Sequence, residues 1–213
     1  MYIRNLTQTL IRFVVLLLAG VFATFATEAS LLKPGTKTAL YSAHEPQGAH
    51  LLAVTNFNFS SANLTGNLQS KVWADDESNP FGGLTFSYRL VNTGECEDFL
   101  GWFSLSGFAG LGVDVNFFGG GVAPLTAMRS ASGDMVSFGF FDREADKIFE
   151  PGNSSAWLII QTSAHTWGVN SFVGVDAETV TAAAFAPVTV PEPTTVAFAA
   201  LLGAVLLARR KGA

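Results

Sequence analysis

"LTFSYRLVN" (Leu84–Asn92) carries the pattern that decides the fold of this chain. Leu84, Phe86, Tyr88 and Leu90 fall on one side of an extended backbone, and Thr85, Ser87 and Arg89 on the other. An alternation of period two predicts a strand with one face in a core. "HLLAVTNFNFS" (His50–Ser60) repeats it near its end, with Val54, Asn56 and Asn58 opposed to Phe57 and Phe59. Seven more short segments complete about nine expected strands: Leu64–Ala74, Asp98–Ser106, Gly112–Phe118, Asp134–Phe141, Ala156–Thr162, Asn170–Val175 and Glu178–Phe185. Turn signals separate them, including Asn79-Pro80, Gly82-Gly83, Gly119-Gly120-Gly121 and Glu150-Pro151-Gly152-Asn153. No apolar stripe of helical period and useful length interrupts residues 30–185. The expectation is an all-β body, a β-sandwich of jelly-roll or immunoglobulin-like type.

Composition agrees with a packed body. The chain has 213 residues, only 14% of them charged, with 19 phenylalanines. Such a chain buries apolar surface and is long enough for one full core. Its net charge of −5 is unevenly spread. Arg4, Arg12, Arg209, Arg210 and Lys211 lie in the terminal segments. Setting those five aside leaves 7 of the 12 basic residues against 17 acidic ones, so the rest of the chain carries about −10. That excludes nucleic acid as a partner, because its binding needs basic patches that displace counterions.

The two ends read as export signals. In "MYIRNLTQTLIRFVVLLLAGVFATFATEAS" (Met1–Ser30) a basic start precedes an apolar run, Phe13–Phe22, and then small residues at Ala23, Ala26 and Ala29. This is the layout of a cleaved signal peptide, residues 1–29, whose apolar run is short for a spanning helix. At the other end stands "TVPEPTTVAFAALLGAVLLARRKGA" (Thr189–Ala213). Pro191-Glu192-Pro193 resists helix and sheet and stays accessible. Thr194–Ala208 is 15 residues without a charge. As a helix it would rise about 22 Å, and the basic residues after it can snorkel to extend its reach across a membrane. Basic residues mark the cytoplasmic side. Both ends therefore predict the same orientation, with the body outside and the last residues inside. Residues 186–190 read as an extended linker between body and tail.

The ordered triplet Pro191-Glu192-Pro193, short apolar helix and Arg209-Arg210-Lys211 resembles the PEP-CTERM sorting domain of exported bacterial proteins. The resemblance covers about 25 residues, residues 191–213 and their approach, and the signal peptide is its usual companion. It implies that Pro191, Glu192 and Pro193 are the recognition element for an exosortase. Thr194–Ala208 would be a transient transmembrane anchor, and Arg209, Arg210 and Lys211 the cytoplasmic stop. It further implies removal of the tail and delivery of the body to the cell surface or extracellular matrix, where exopolysaccharide is a candidate partner. The body resembles that group in pattern only, in "NLTGNLQSKVW", "NPFGGLTFSYRLVN" and "PGNSSAWLIIQTSA".

Between the ends, little chemistry is legible. No Gly-x-Ser-x-Gly elbow occurs, and no nucleophile and base or carboxylate pair stands out. The expectation is a non-catalytic protein with no catalytic residues, no metal ligands and no cofactor. His44 and His50 flank Glu45, but their spacing matches no helix-borne zinc pair. Asp75-Asp76-Glu77 and the set Asp142, Glu144 and Asp146 read as solvated turns. Calcium is the alternative occupant of such acidic loops, although neither has full EF-hand spacing. Cys96, between Glu95 and Glu97, reads as an unreactive bystander. Trp73, Trp102, Trp157 and Trp167 are expected to pack in the core. The competing reading lines them up as a stacking platform in a carbohydrate-binding adhesion module.

Overall fold

The computed structural model describes residues 31–60, 65–93, 101–140, 152–169, 173–175, 178–180 and 183–188. The segment read as a signal peptide, the Cys96 segment, the acidic set at 142–146, and residues 191–213, read as sorting motif, anchor and basic stop, lie outside them. Within the described residues the protein is all-β, without a helix. None of them forms a helix long and apolar enough to cross a membrane.

The strands run in chain order as β1 (Lys37–Ala39), β2 (His50–Ser60), β3 (Thr65–Ala74), β4 (Thr85–Asn92), β5 (Trp102–Leu105), β6 (Val113–Phe118) and β7 (Thr126–Arg129). They continue as β8 (Val136–Gly139), β9 (Trp157–Thr162), β10 (Trp167–Val169), β11 (Val173–Val175), β12 (Glu178–Val180) and β13 (Phe185–Pro187). They form a five-stranded sheet, β2-β3-β4-β9-β6, a six-stranded sheet, β1-β7-β8-β5-β11-β12, and a ribbon of β10 and β13. Every pairing of these strands is antiparallel. Neither large sheet closes on itself, an arrangement that fits a β-sandwich.

The alternation in the sequence sets which face each strand buries. In β4, Phe86, Tyr88 and Leu90 turn inward and are at most 1% exposed. Leu68 and Val72 of β3 and Leu158 and Ile160 of β9 continue that face. The six-stranded sheet answers with Phe103, Leu105, Val136 and Phe138. Tyr88 meets Phe103 across the interior, ring centroids 6.2 Å apart, so the two sheets share one core. Burying each such aromatic or aliphatic side chain stabilises the fold by about 1.5–3 kcal/mol.

The ribbon packs against this core through Phe185. Tyr88 donates its hydroxyl to the carbonyl of Phe185 at 2.6 Å, and the Phe185 amide donates to Ser70 Oγ at 3.1 Å. The chain then continues as strand through Pro187, two residues into the segment that the sequence reading assigns to the linker. Val188 follows, doubly tied to Thr166: its amide donates to the Thr166 carbonyl at 3.2 Å, and its carbonyl accepts the Thr166 hydroxyl at 2.6 Å.

Arg129 clasps the opposite sheet. It lies buried on β7 and donates to four main-chain carbonyls, those of Gly133, Leu32, Phe108 and Leu111, at 2.8 to 3.0 Å. Four acceptors match the several fixed donors of a guanidinium and exceed the three of an ammonium. Burial lowers its pKa below the usual arginine value.

Candidate functional site

The outer face of the five-stranded sheet gathers the polar and aromatic residues that the core rejects. Register pairs Gln69 with Arg89 across β3 and β4, and Trp157 with Phe118 across β9 and β6. The next row is Lys71, Ser87, Ile159 and Asn116, and the third is Trp73, Thr85, Gln161 and Asp114. The tryptophans are therefore not core residues, contrary to expectation. The phase of Leu68 and Val72 on β3, and of Leu158 and Ile160 on β9, commits Trp73 and Trp157 to the other side, where each is half-buried. Trp102 likewise sits on the outer side of β5, with Lys37 Nζ 5.7 Å from its ring centre. Trp167, 36% exposed, packs edge-on against Phe185 in the ribbon.

Trp73 and Trp157 converge on a lysine. Lys71 Nζ stands 4.0 Å from the ring centre of Trp157 and 5.4 Å from that of Trp73. Arg89 places its guanidinium carbon 6.0 Å from Trp157, and Phe118 stacks beside that indole at 6.3 Å with planes 13° apart. Trp73 Nε1 donates to Ser87 Oγ at 2.8 Å. The Arg89 Nη2 donates to Ser154 Oγ at 2.7 Å, while its Nε and the Asn116 Oδ1 have no partner among the described residues. The electron-rich faces of two indoles thus hold an ammonium where a sugar ring would have to stack.

One edge of this face is roofed by the loop after β3. Asp76, 5% exposed, accepts five hydrogen bonds. Its Oδ1 receives the Gln47 amide at 3.1 Å and the Ser78 amide and hydroxyl at 3.0 and 2.6 Å. Its Oδ2 receives Thr85 Oγ1 at 2.8 Å and Gln161 Nε2 at 3.1 Å. Burial alone would raise the Asp76 pKa. The hydrogen bonds from Ser78, Gln161 and Thr85 outweigh it and hold the carboxyl below its ordinary value. Asn79 completes the roof, with its side-chain amide on the carbonyls of Gly83 and Thr162. Thr85 and Ser87, on the face opposite Phe86 and Tyr88, are fully buried as well.

The acidic triplet Asp75-Asp76-Glu77 is thereby divided, and the reading of a solvated turn fails for its middle member. Asp75 and Glu77 are exposed, whereas Asp76 spends its lone pairs on donors of its own chain. Among the described residues, no three His, Cys, Asp or Glu side chains stand together as a metal-holding group. His44 and Glu45 lie exposed in the loop before β2, and His50 opens that strand opposite Ala74. Asp142, Glu144, Asp146, Cys96, Pro191, Glu192, Pro193, Arg209, Arg210 and Lys211 lie outside the described residues. Arg129 and the burial of Asp76 escaped the sequence reading. A usable signal existed for the latter, since Asp-x-Ser followed by Asn-Pro favours side-chain to backbone turns.

Comparison with protein-family models, with curated proteins and with solved structures finds no match.

Proposed function

We propose that this chain is an exported bacterial surface or extracellular-matrix protein of non-catalytic type, sorted by an exosortase through its C-terminal tail. One observation carries the proposal: Pro191-Glu192-Pro193, an uncharged run of 15 residues and Arg209-Arg210-Lys211 occur in that order. The signal-like Met1–Ala29 segment supports the same route. The body is a two-sheet sandwich of jelly-roll or immunoglobulin-like type, carried across the cytoplasmic membrane and held there transiently as a precursor. Val188 is held by Thr166, two residues short of the tripeptide. No cofactor enters this reading.

Intact-mass measurement of the exported protein tests it. The expected product lacks the first 23–29 residues and everything beyond about Pro193. Glu192→Ala leaves the tail in place. A stable membrane form that retains Arg209, Arg210 and Lys211 in the unaltered chain overturns the sorting role in favour of a permanent anchor.

A second reading, a carbohydrate-binding adhesion module, draws on the convergence of Trp73 and Trp157 on one face. Lys71 occupies the stacking position on Trp157, so a neutral sugar must displace it. The calcium form of that reading loses Asp76, whose oxygens are already engaged. Glycan-array binding abolished by Trp73→Ala would favour the module.

A further inference from the structure

We infer that β2 is an assembly edge, on which a second copy of this chain adds in antiparallel register and joins two five-stranded sheets into one. β2 is the outermost strand of its sheet and, among the described residues, pairs only with β3. It runs 11 residues, and every second one turns its N–H and C=O away from β3.

The other sheet margins carry protection that β2 lacks among the described residues. The far edge of the same sheet, β6, is covered by the N-terminal segment. Leu32 and Ala43 donate their amides to the carbonyls of Val113 and Phe117 there, at 2.9 and 2.7 Å. In the six-stranded sheet, the outermost strands β1 and β12 are three residues each and include Lys37 and Glu178. Short, charged or covered edges block strand addition. β2 has no Asp, Glu, Lys, Arg or Pro from His50 to Ser60. Its one irregularity, the bulge between Leu51 and Ala53, leaves a regular run from Ala53 onward. Leu51, Leu52 and Val54 are 48%, 45% and 62% exposed, three large apolar side chains within four positions.

The chemistry of the strand is complementary to itself. Extending the sheet with its faces preserved requires opposed residues of like parity. Centring the regular run then sets Asn56 opposite Asn56 of the second copy. On the outer face Val54 would meet Asn58, and the Asn56 amides would pair, each being both donor and acceptor. The same amide pairing already exists one strand inward, where Asn67 Nδ2 donates to Asn58 Oδ1 at 2.7 Å. On the inner face Ala53 would meet Phe59 and Thr55 would meet Phe57, a small residue against a large one in both pairs. Ala53 and Phe57, partly buried, pack against the core at this margin. A second copy would cover it, and the absence of charge leaves nothing to repel an identical strand.

Disulfide trapping in the full chain tests this, in membranes and in detergent extract, on a Cys96→Ser background. Residues opposed across a two-fold stand about 5 Å apart between Cα atoms, within reach of a disulfide. Asn56→Cys should give a cross-linked species of twice the chain mass on mild oxidation. Gln69→Cys, one strand inside the edge, should give none. Asn56→Lys sets two ammonium groups opposite each other and should weaken dimerisation about fivefold or more. Asn56 is exposed, so the melting profile of the monomer should not change. The proposal is overturned if Asn56→Cys fails to cross-link, if Gln69→Cys links as well, if the trapped species contains a different protein, or if Asn56→Lys leaves self-association intact.

Discussion

Gln161 donates its side-chain amide to the buried carboxylate of Asp76 at 3.1 Å, joining the loop after β3 to a strand 85 residues further along. That carboxylate is shared with Ser78, Thr85 and the Gln47 amide, so a single charge organises three separate segments. Asp76→Ala leaves several buried donors without an acceptor and should cost about 3 kcal/mol in denaturant unfolding.

The same group fixes an acid limb. The folded pKa of Asp76 lies below its ordinary value of 3.8. The unfolded state therefore binds the proton more tightly, and the stabilisation is present above that ordinary value. It is lost as pH falls through the lower, folded pKa. Unfolding midpoints measured between about pH 5 and 2 should drop, and Asp76→Asn should flatten that decline.

Tyr88 sets the alkaline counterpart. Burial pushes its pKa well above the usual 10.0. The stabilisation is present below the ordinary tyrosine value and is lost as pH rises from it toward the folded pKa. Tyr88→Phe strands the Phe185 carbonyl, should cost about 1–2 kcal/mol at neutral pH and should soften the alkaline loss. Spectrophotometric titration alongside chemical denaturation checks both.

Gly83 permits a close passage of backbone. A Cβ there would lie 2.5 Å from the Thr162 carbonyl oxygen and 2.6 Å from that of Ala164, neither of which can swing aside. Gly83→Ala should destabilise by about 2 kcal/mol or more. Gly120→Ala has open space around it and should stay within about 0.5 kcal/mol of the parent. Thermal melts of the pair make the comparison.

Lys71→Gln removes the ammonium between Trp73 and Trp157. The expected change is an altered indole emission with a loss of about 0.5–1 kcal/mol. An emission spectrum unchanged by Lys71→Gln would mean that the cation contributes nothing to this pair of rings.

How far the sequence anticipates this structure varies by element, for identifiable reasons. β2 occupies the predicted His50–Ser60, and β4 starts one residue inside the predicted span, because strong alternation there is bounded by turn residues. β7 passed unnoticed: it is four residues long, and its inward Arg129 breaks the hydropathy pattern that marks a buried position. The predicted strand Glu178–Phe185 divides into β12 and β13. The alanine run before Phe185 has too little bulk to declare a face. The tryptophans were legible through the parity of their neighbours rather than through their own hydrophobicity. The coupling of Asp76 to Gln161 has no sequence signature, since it joins residues that only the sheet order makes adjacent.

The hold of Thr166 on Val188 sets how little slack a processing enzyme has. Only Thr189 and Val190 separate that clasp from Pro191, a reach of at most about 11 Å from Val188. On the proposed route, the globular part must ride flush against the membrane enzyme, or the three-residue ribbon of β10 and β13 must peel away before cutting. Cleavage would then report on mechanical release of β13, and a few flexible residues inserted after Val188 should accelerate it.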